Sequence, residues 1–146
     1  MGGILVADDE PTNRRLIQMA LELEGYEVHT AATGLEALAQ VARRQPAAML
    51  LDVELPELDG WGVLDTLAAH AAGPPVLLLS ASDGARLRRS AERHGVGLLT
   101  KPFDLDVLLE TVQRLAATAH DQAVPFSRLR APTPGSSLLG TGRQEN

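Results

Sequence analysis

Three short runs, "GILVA" at 3–7, "AAMLLD" at 47–52 and "PPVLLLS" at 74–80, are apolar almost throughout instead of at alternate positions. A strand with one wet face alternates apolar and polar residues. A strand without alternation has both faces covered. This requirement constrains the fold more than any other feature of the chain. It calls for a parallel sheet with helices above and below. "YEVHTA" (26–31) and "VGLLT" (96–100) are weaker runs of the same kind.

Between these runs lie stretches of helical period. Residues 11–24 open on Pro11, which a first helical turn accepts, and stop at Gly25. They place Leu16, Met19, Ala20 and Leu23 on one stripe. Residues 35–44 group Leu35, Leu38, Ala39 and Ala42 before Pro46. Residues 61–71 and 84–94 are two further helices. Residues 104–119 open on Asp104 as a cap and carry Leu105, Leu108, Leu109, Val112 and Leu115. Five strand–helix units in strict alternation predict an α/β doubly wound fold, with right-handed crossovers. From about residue 120 the chain turns rich in Pro, Gly and Ser and loses both periods. The expected organisation is one domain over 1–119 and a flexible tail over 120–146.

Composition narrows the function. Hydrophobic residues make up 45% of the chain, enough for a real core. The net charge of −6 argues against general nucleic-acid affinity, which needs a basic face. There is no cysteine, so disulfides and thiolate metal sites are absent. No segment approaches a membrane span, and "MGGILVADDE" is not a secretory leader. A cytoplasmic protein with no membrane and no nucleic-acid partner is expected.

In an open parallel sheet, ligands bind outside the carboxyl ends of the strands. Asp8, Asp9 and Glu10 follow the first strand, Asp52 ends the third, Ser80 the fourth, and Thr100, Lys101 and Pro102 follow the fifth. With the first strand beside the third, these groups converge. Carboxylates crowded in one cleft repel, and burial raises their pKa. Removing the acidic pair is therefore expected to raise stability without metal. The usual relief is a cation, and carboxylate oxygens with bound water suit Mg2+. An amine and a small hydroxyl beside it complete a site for an anionic phosphoryl group. Lys101 is the chain's one lysine, every other permanent cation being arginine. A slender point charge reaches past a strand end where a planar fork does not.

The motifs "ILVADDE", "LLDVELPELDGW", "LLLSA" and "LTKPF", in this order, resemble the receiver domain of two-component response regulators over residues 3 to about 118. The resemblance implies a five-stranded sheet of order 2-1-3-4-5 and phosphorylation of Asp52 by the phosphohistidine of a histidine kinase or phosphotransfer protein. It implies Mg2+ held by Asp8, Asp9, Asp52 and the backbone carbonyl of Glu54. It makes Ser80 the switch hydroxyl and Lys101 the phosphoryl contact, with a cis peptide bond before Pro102.

Two positions depart from that pattern. Where the family usually carries Tyr or Phe, this chain has Leu98, so an aromatic rotor gives way to a shorter aliphatic move. Glu54 stands two residues after Asp52, and its side chain, with Ser82, is expected to tune the phosphate's lifetime. Arg86, Arg88, Arg89 and Arg93 make the fourth helix basic on an acidic chain. In the family, the fourth helix, fifth strand and last helix form the usual face for downstream protein targets or a homodimer. The expected function is a stand-alone response regulator that is not an enzyme in the ordinary sense. Its rivals are a Mg2+-dependent phosphohydrolase with an aspartyl-phosphate intermediate and an unphosphorylated scaffold. Glu54 stands where such hydrolases carry a second aspartate, and a flavodoxin-type loop is replaced by "ADDE".

Overall fold

In the computed structural model, which describes residues 2–70 and 73–122, the apolar runs lie side by side. The strands are β1 (Ile4–Ala7), β2 (Val28–Ala31), β3 (Ala48–Asp52), β4 (Val76–Ser80) and β5 (Gly97–Thr100). All neighbours pair in parallel, in the order β2-β1-β3-β4-β5. The helices are α1 (Pro11–Leu23), α2 (Gly34–Arg44), α3 (Gly60–Ala69), α4 (Ala85–His94) and α5 (Leu105–Gln122).

Successive strand residues point to opposite faces, so one run feeds two cores. Leu5, Met49, Leu51 and Leu78 pack with Ala37 and Val41 of α2, Val63 and Leu64 of α3 and Ala91 of α4. Ile4, Val6, Leu50, Leu77 and Leu79 pack with Ile17 and Leu21 of α1 and Leu108 and Val112 of α5. Both faces are covered, as the absence of alternation requires.

Two helix faces differ from the periodic reading. On α1 the buried residues are Ile17 and Leu21, while Leu16, Met19 and Leu23 are exposed, Leu23 by 86%. Asn13 explains this. It lies one turn before Ile17 on the same side, and its amide donates to Asp8 Oδ2 at 3.1 Å. That polar contact sets the rotation of the helix. On α2 the buried residues are Gly34, Ala37 and Val41, Leu38 is half-buried, and Leu35 is exposed, as are Ala39 and Ala42. Here Gly34 sets the rotation, because a Cβ on it would lie 1.8 Å from the Leu58 carbonyl oxygen. Only a residue without a side chain lets α2 seat against the loop after β3. On α5 the expected face is the observed one. The helix runs to Gln122, past the expected domain edge at 119, and residues 123–146 of the expected tail lie outside the described residues.

Among the described residues, no helix is long and apolar enough to cross a membrane. The loop after β3 contains a second backbone constraint, Glu57 with a φ of 71°. A side chain there is strained. Glu57→Gly is expected to stabilise the fold by about 0.5–1 kcal/mol, the relieved strain outweighing the added unfolded-state freedom. Gly34→Ala is expected to cost about 2–3 kcal/mol, as overpacking against backbone does. Urea unfolding of the two variants checks both signs.

Candidate functional site

The register brings four strand ends together. Ala7 pairs with Leu51, Asp52 with Leu79, and Ser80 with Thr100. Asp8, Asp52 and Lys101 therefore come to one edge of the sheet.

Asp8 is fully buried, and each of its acceptors is used. Its Oδ1 accepts from the Glu10 N–H at 2.9 Å and its Oδ2 from Asn13 Nδ2 at 3.1 Å. Its backbone oxygen accepts from Arg14 Nη1 at 2.7 Å, and its N–H donates to Ala31 O at 3.0 Å. The capping work that an acidic pair at a strand end could do falls to Glu10. Its carboxylate accepts from the Asn13 N–H at 2.6 Å. This leaves Asp8 and Asp9 to the cleft. Asp9 is exposed, and one oxygen each of Asp8, Asp9 and Asp52 lies within 4.8 Å of the other two.

Asp52 is buried at the end of β3. Its Oδ1 accepts from the Glu54 N–H at 3.0 Å, and its Oδ2 accepts from Lys101 Nζ at 2.7 Å. Lys101 Nζ also reaches Asp8 Oδ2 at 3.4 Å. The lysine is placed by a bond from its own N–H to Ser80 O, 2.7 Å, and the Lys101–Pro102 peptide is cis. Burial pushes the Asp52 carboxyl above the ordinary range, against the opposing pull of Lys101 and the Glu54 N–H. Burial alone would lower the Lys101 ammonium. Its hydrogen bond to Asp52 and the charges of Asp52 and Asp8 outweigh that and raise it. Three carboxylates facing one ammonium leave surplus negative charge in a cleft of carboxylate oxygens. That donor set suits a hard divalent cation.

The other expected residues are arranged less directly. Ser80 is buried, but its Oγ accepts from the Ser82 N–H at 3.0 Å, within its own loop. Ser82 itself is exposed. Glu54 is exposed, and it reaches the site through its backbone N–H, with its carboxylate outside the acidic cluster. Leu98 is half-buried, opposite Leu78, and packs against the core under α3 and α4. Sequence reading placed Glu10 at the strand end without its capping role, and overlooked Asn13 and Arg14. The available signal was a polar pair on the first turn of α1, five and six residues after Asp8.

A family model described as response regulator receiver domain matches residues 4–113. The probable transcriptional regulatory protein TcrX of Mycobacterium tuberculosis is 40% identical over 115 residues, 78% of this chain and 48% of that protein. The sensor protein EvgS of Escherichia coli K12 is 36% identical over 118 residues, 80% of this chain and 10% of that protein. The chain thus spans half or less of the length of these relatives. The solved receiver domain of NtrX from Brucella abortus superposes with a TM-score of 0.72 at 35% identity. That likeness covers 79% of this chain and 98% of the NtrX domain.

The geometry divides the acidic pair. Asp8→Ala orphans the Glu10 N–H and the Asn13 amide and is expected to cost about 2–4 kcal/mol in metal-free buffer. Asp9→Ala removes repulsion and no bond, and is expected to change stability by less than about 0.5 kcal/mol or to raise it. Melting in chelator separates the two. A raised pKa for Asp52 means that the folded state keeps this proton to higher pH than the unfolded chain. The contribution is present below the ordinary carboxylate range and is lost as pH rises through the raised value. Asp52→Asn is therefore expected to melt higher than the unaltered chain at neutral pH in chelator, with the gap closing on acidification.

Proposed function

Because the chain belongs to the family of response regulator receiver domains, we propose that it is a phosphorylation switch with Asp52 as its phosphoacceptor. The observation that carries this is the 2.7 Å contact of Lys101 Nζ with a buried Asp52 carboxylate, in a cluster with Asp8 and Asp9. The donor is a phosphohistidine on a histidine kinase or phosphotransfer protein. A carboxylate oxygen of Asp52 forms the new P–O bond as the P–N bond to imidazole breaks. The released ring nitrogen takes a proton from solvent. Asp8, Asp9, Asp52 and the Glu54 carbonyl would hold Mg2+, which supplies positive charge against the phosphoryl oxygens.

The residues present can do the rest. Lys101 transfers its ammonium from Asp52 Oδ2 to a phosphoryl oxygen. Asp8 keeps Asn13 and Glu10 as partners while Lys101 leaves it. Ser80 Oγ at present only accepts from Ser82, so its own proton is free to be donated to the phosphoryl group. Ser82 and the Glu54 carboxylate, both exposed beside the site, tune the lifetime of the acyl phosphate by their effect on attacking water. The output is a changed protein contact. Arg86, Arg89 and Arg93 lie exposed on the outward side of α4, while Arg88 is paired with Asp83. This side, with β5 and α5, suits an acidic target. The proposed setting is the cytoplasm, where such kinases present their phosphohistidine.

With a small phosphodonor and Mg2+, intact-mass measurement is expected to show one added phosphate. Asp52→Ala abolishes the addition; uptake at the normal level by that variant would remove Asp52 from the role. Lys101→Arg is expected to take up phosphate more slowly, since its planar fork does not reproduce a single-point contact.

A further inference from the structure

The least anchored helix of the fold is α4. Only Ala91 among its residues is fully buried. Its N-cap, Gly84, offers no side-chain hydrogen bond. Its other end is held differently. His94, the last residue of α4, has Nε2 at 3.0 Å from Oδ1 of Asp65 on α3. Its Nδ1 lies 2.8 Å from the Ser90 carbonyl oxygen. The ring also faces Trp61 of α3, with centroids 5.2 Å apart and planes tilted by 43°.

A carboxylate and a carbonyl can only accept, and a neutral imidazole carries one N–H. The neutral ring therefore satisfies one of its two neighbours and turns a lone pair on the other. The imidazolium donates to both. Its charge also suits the indole face and the C-terminal end of a helix. The surrounding ionisable groups do not supply an alternative. Asp65 is the α3 carboxylate that meets the ring. His70, at the end of α3, turns back on Thr66 O, and Asp59 caps the Gly62 N–H. On α4, Arg93 reaches Ser90 Oγ at 3.1 Å, and Arg89 and Glu92 are exposed. β5 has the sequence GLLT and offers no charge.

We propose that His94 is a proton-dependent latch that fastens the C-terminal end of α4 to α3 through Asp65 and Trp61. When protonated it holds the helix; when neutral it gives up one of its two bonds and the helix loosens. α4 begins just after the Ser80–Gly84 loop, so a proton on His94 biases the helix that this loop would move. That consequence for signalling, though not the latch itself, rests on the switch function proposed above.

The test needs no phosphodonor, so its failure leaves the role of Asp52 untouched. Amide exchange is followed in the full chain at about pH 6 and about pH 8. Rates are corrected for intrinsic pH dependence and compared with β3 amides in the same sample. Protection of residues 85–94 is expected to be about two- to fivefold greater at the lower pH, the range for a pair with one exposed partner. Asp65→Ala and His94→Gln are expected to remove that difference. Both substitutions are at partly or fully exposed positions. Trp61 is the chain's one tryptophan, so its emission reports on the ring directly. Acid is expected to quench it in the unaltered chain and not in His94→Gln. Equal α4 protection at the two pH values, a difference that survives Asp65→Ala, or a quench that survives His94→Gln would overturn the latch.

Discussion

One ammonium between two buried carboxylates organises this molecule. Lys101 Nζ lies 2.7 Å from Asp52 Oδ2 and 3.4 Å from Asp8 Oδ2, and both acids are out of solvent. Removing charges from water is costly, and a single cation cannot fully compensate two anions. The upward shift of Asp52 expresses that shortfall: burial outweighs the lysine. A site in this condition attracts further positive charge. The tension is electrostatic and local, set at the ends of strands that are buried on both faces.

The packing of the helices and the site are built from the same contacts. Asn13 holds the Asp8 carboxylate and Arg14 holds its carbonyl oxygen. These two residues form the first turn of α1, so their bonds also decide that Ile17 and Leu21, one and two turns later, enter the core. Gly34 plays the corresponding part on α2. It admits the loop that follows Asp52 and so decides that Ala37 and Val41 face inward. In both cases a requirement at the functional edge sets the rotation of a helix, and the hydrophobic packing follows it.

This coupling explains what could be read from the chain alone. The strands and the parallel sheet with both faces covered were legible, because unalternated runs admit few arrangements; the strand order, and with it the convergence of Asp8, Asp9, Asp52 and Lys101, came from the motifs' resemblance to receiver domains. The face of α5 was legible too, since Leu108 and Val112 lie on its one apolar stripe. On α1 and α2, apolar residues occupy more than one possible stripe. Periodicity alone chose Leu16, Met19 and Leu23, then Leu35. The deciding contacts were a polar bond and a missing side chain, and hydrophobic period carries neither. Likewise the two members of the acidic pair looked alike in sequence. Only the folded surroundings, the Glu10 N–H with the side chains of Asn13, Arg14 and Lys101, separate a carboxylate with every acceptor used from one left open to solvent.

In the switch proposed above, an event at Asp52 must reach a surface. A ligand moves a conformational equilibrium only by its difference in affinity between two states, so a modest stimulus needs an element that costs little to move. Strand β5 is a poor candidate. Leu98 is paired opposite Leu78, packs on the core and has neither ring nor hydroxyl with which to reward an inward turn. Helix α4 is a better one. It buries a single residue fully, starts without a side-chain cap, and is joined to Ser80 by a short loop that the serine's own hydroxyl organises through Ser82. In that proposal, drawing the hydroxyl toward a phosphoryl group would remove the bond that shapes the loop. The helix beyond has little apolar burial opposing the change. In the proposed switch, α4 is therefore the element that costs least to move, and the fully buried β1, β3 and β4 serve as its frame.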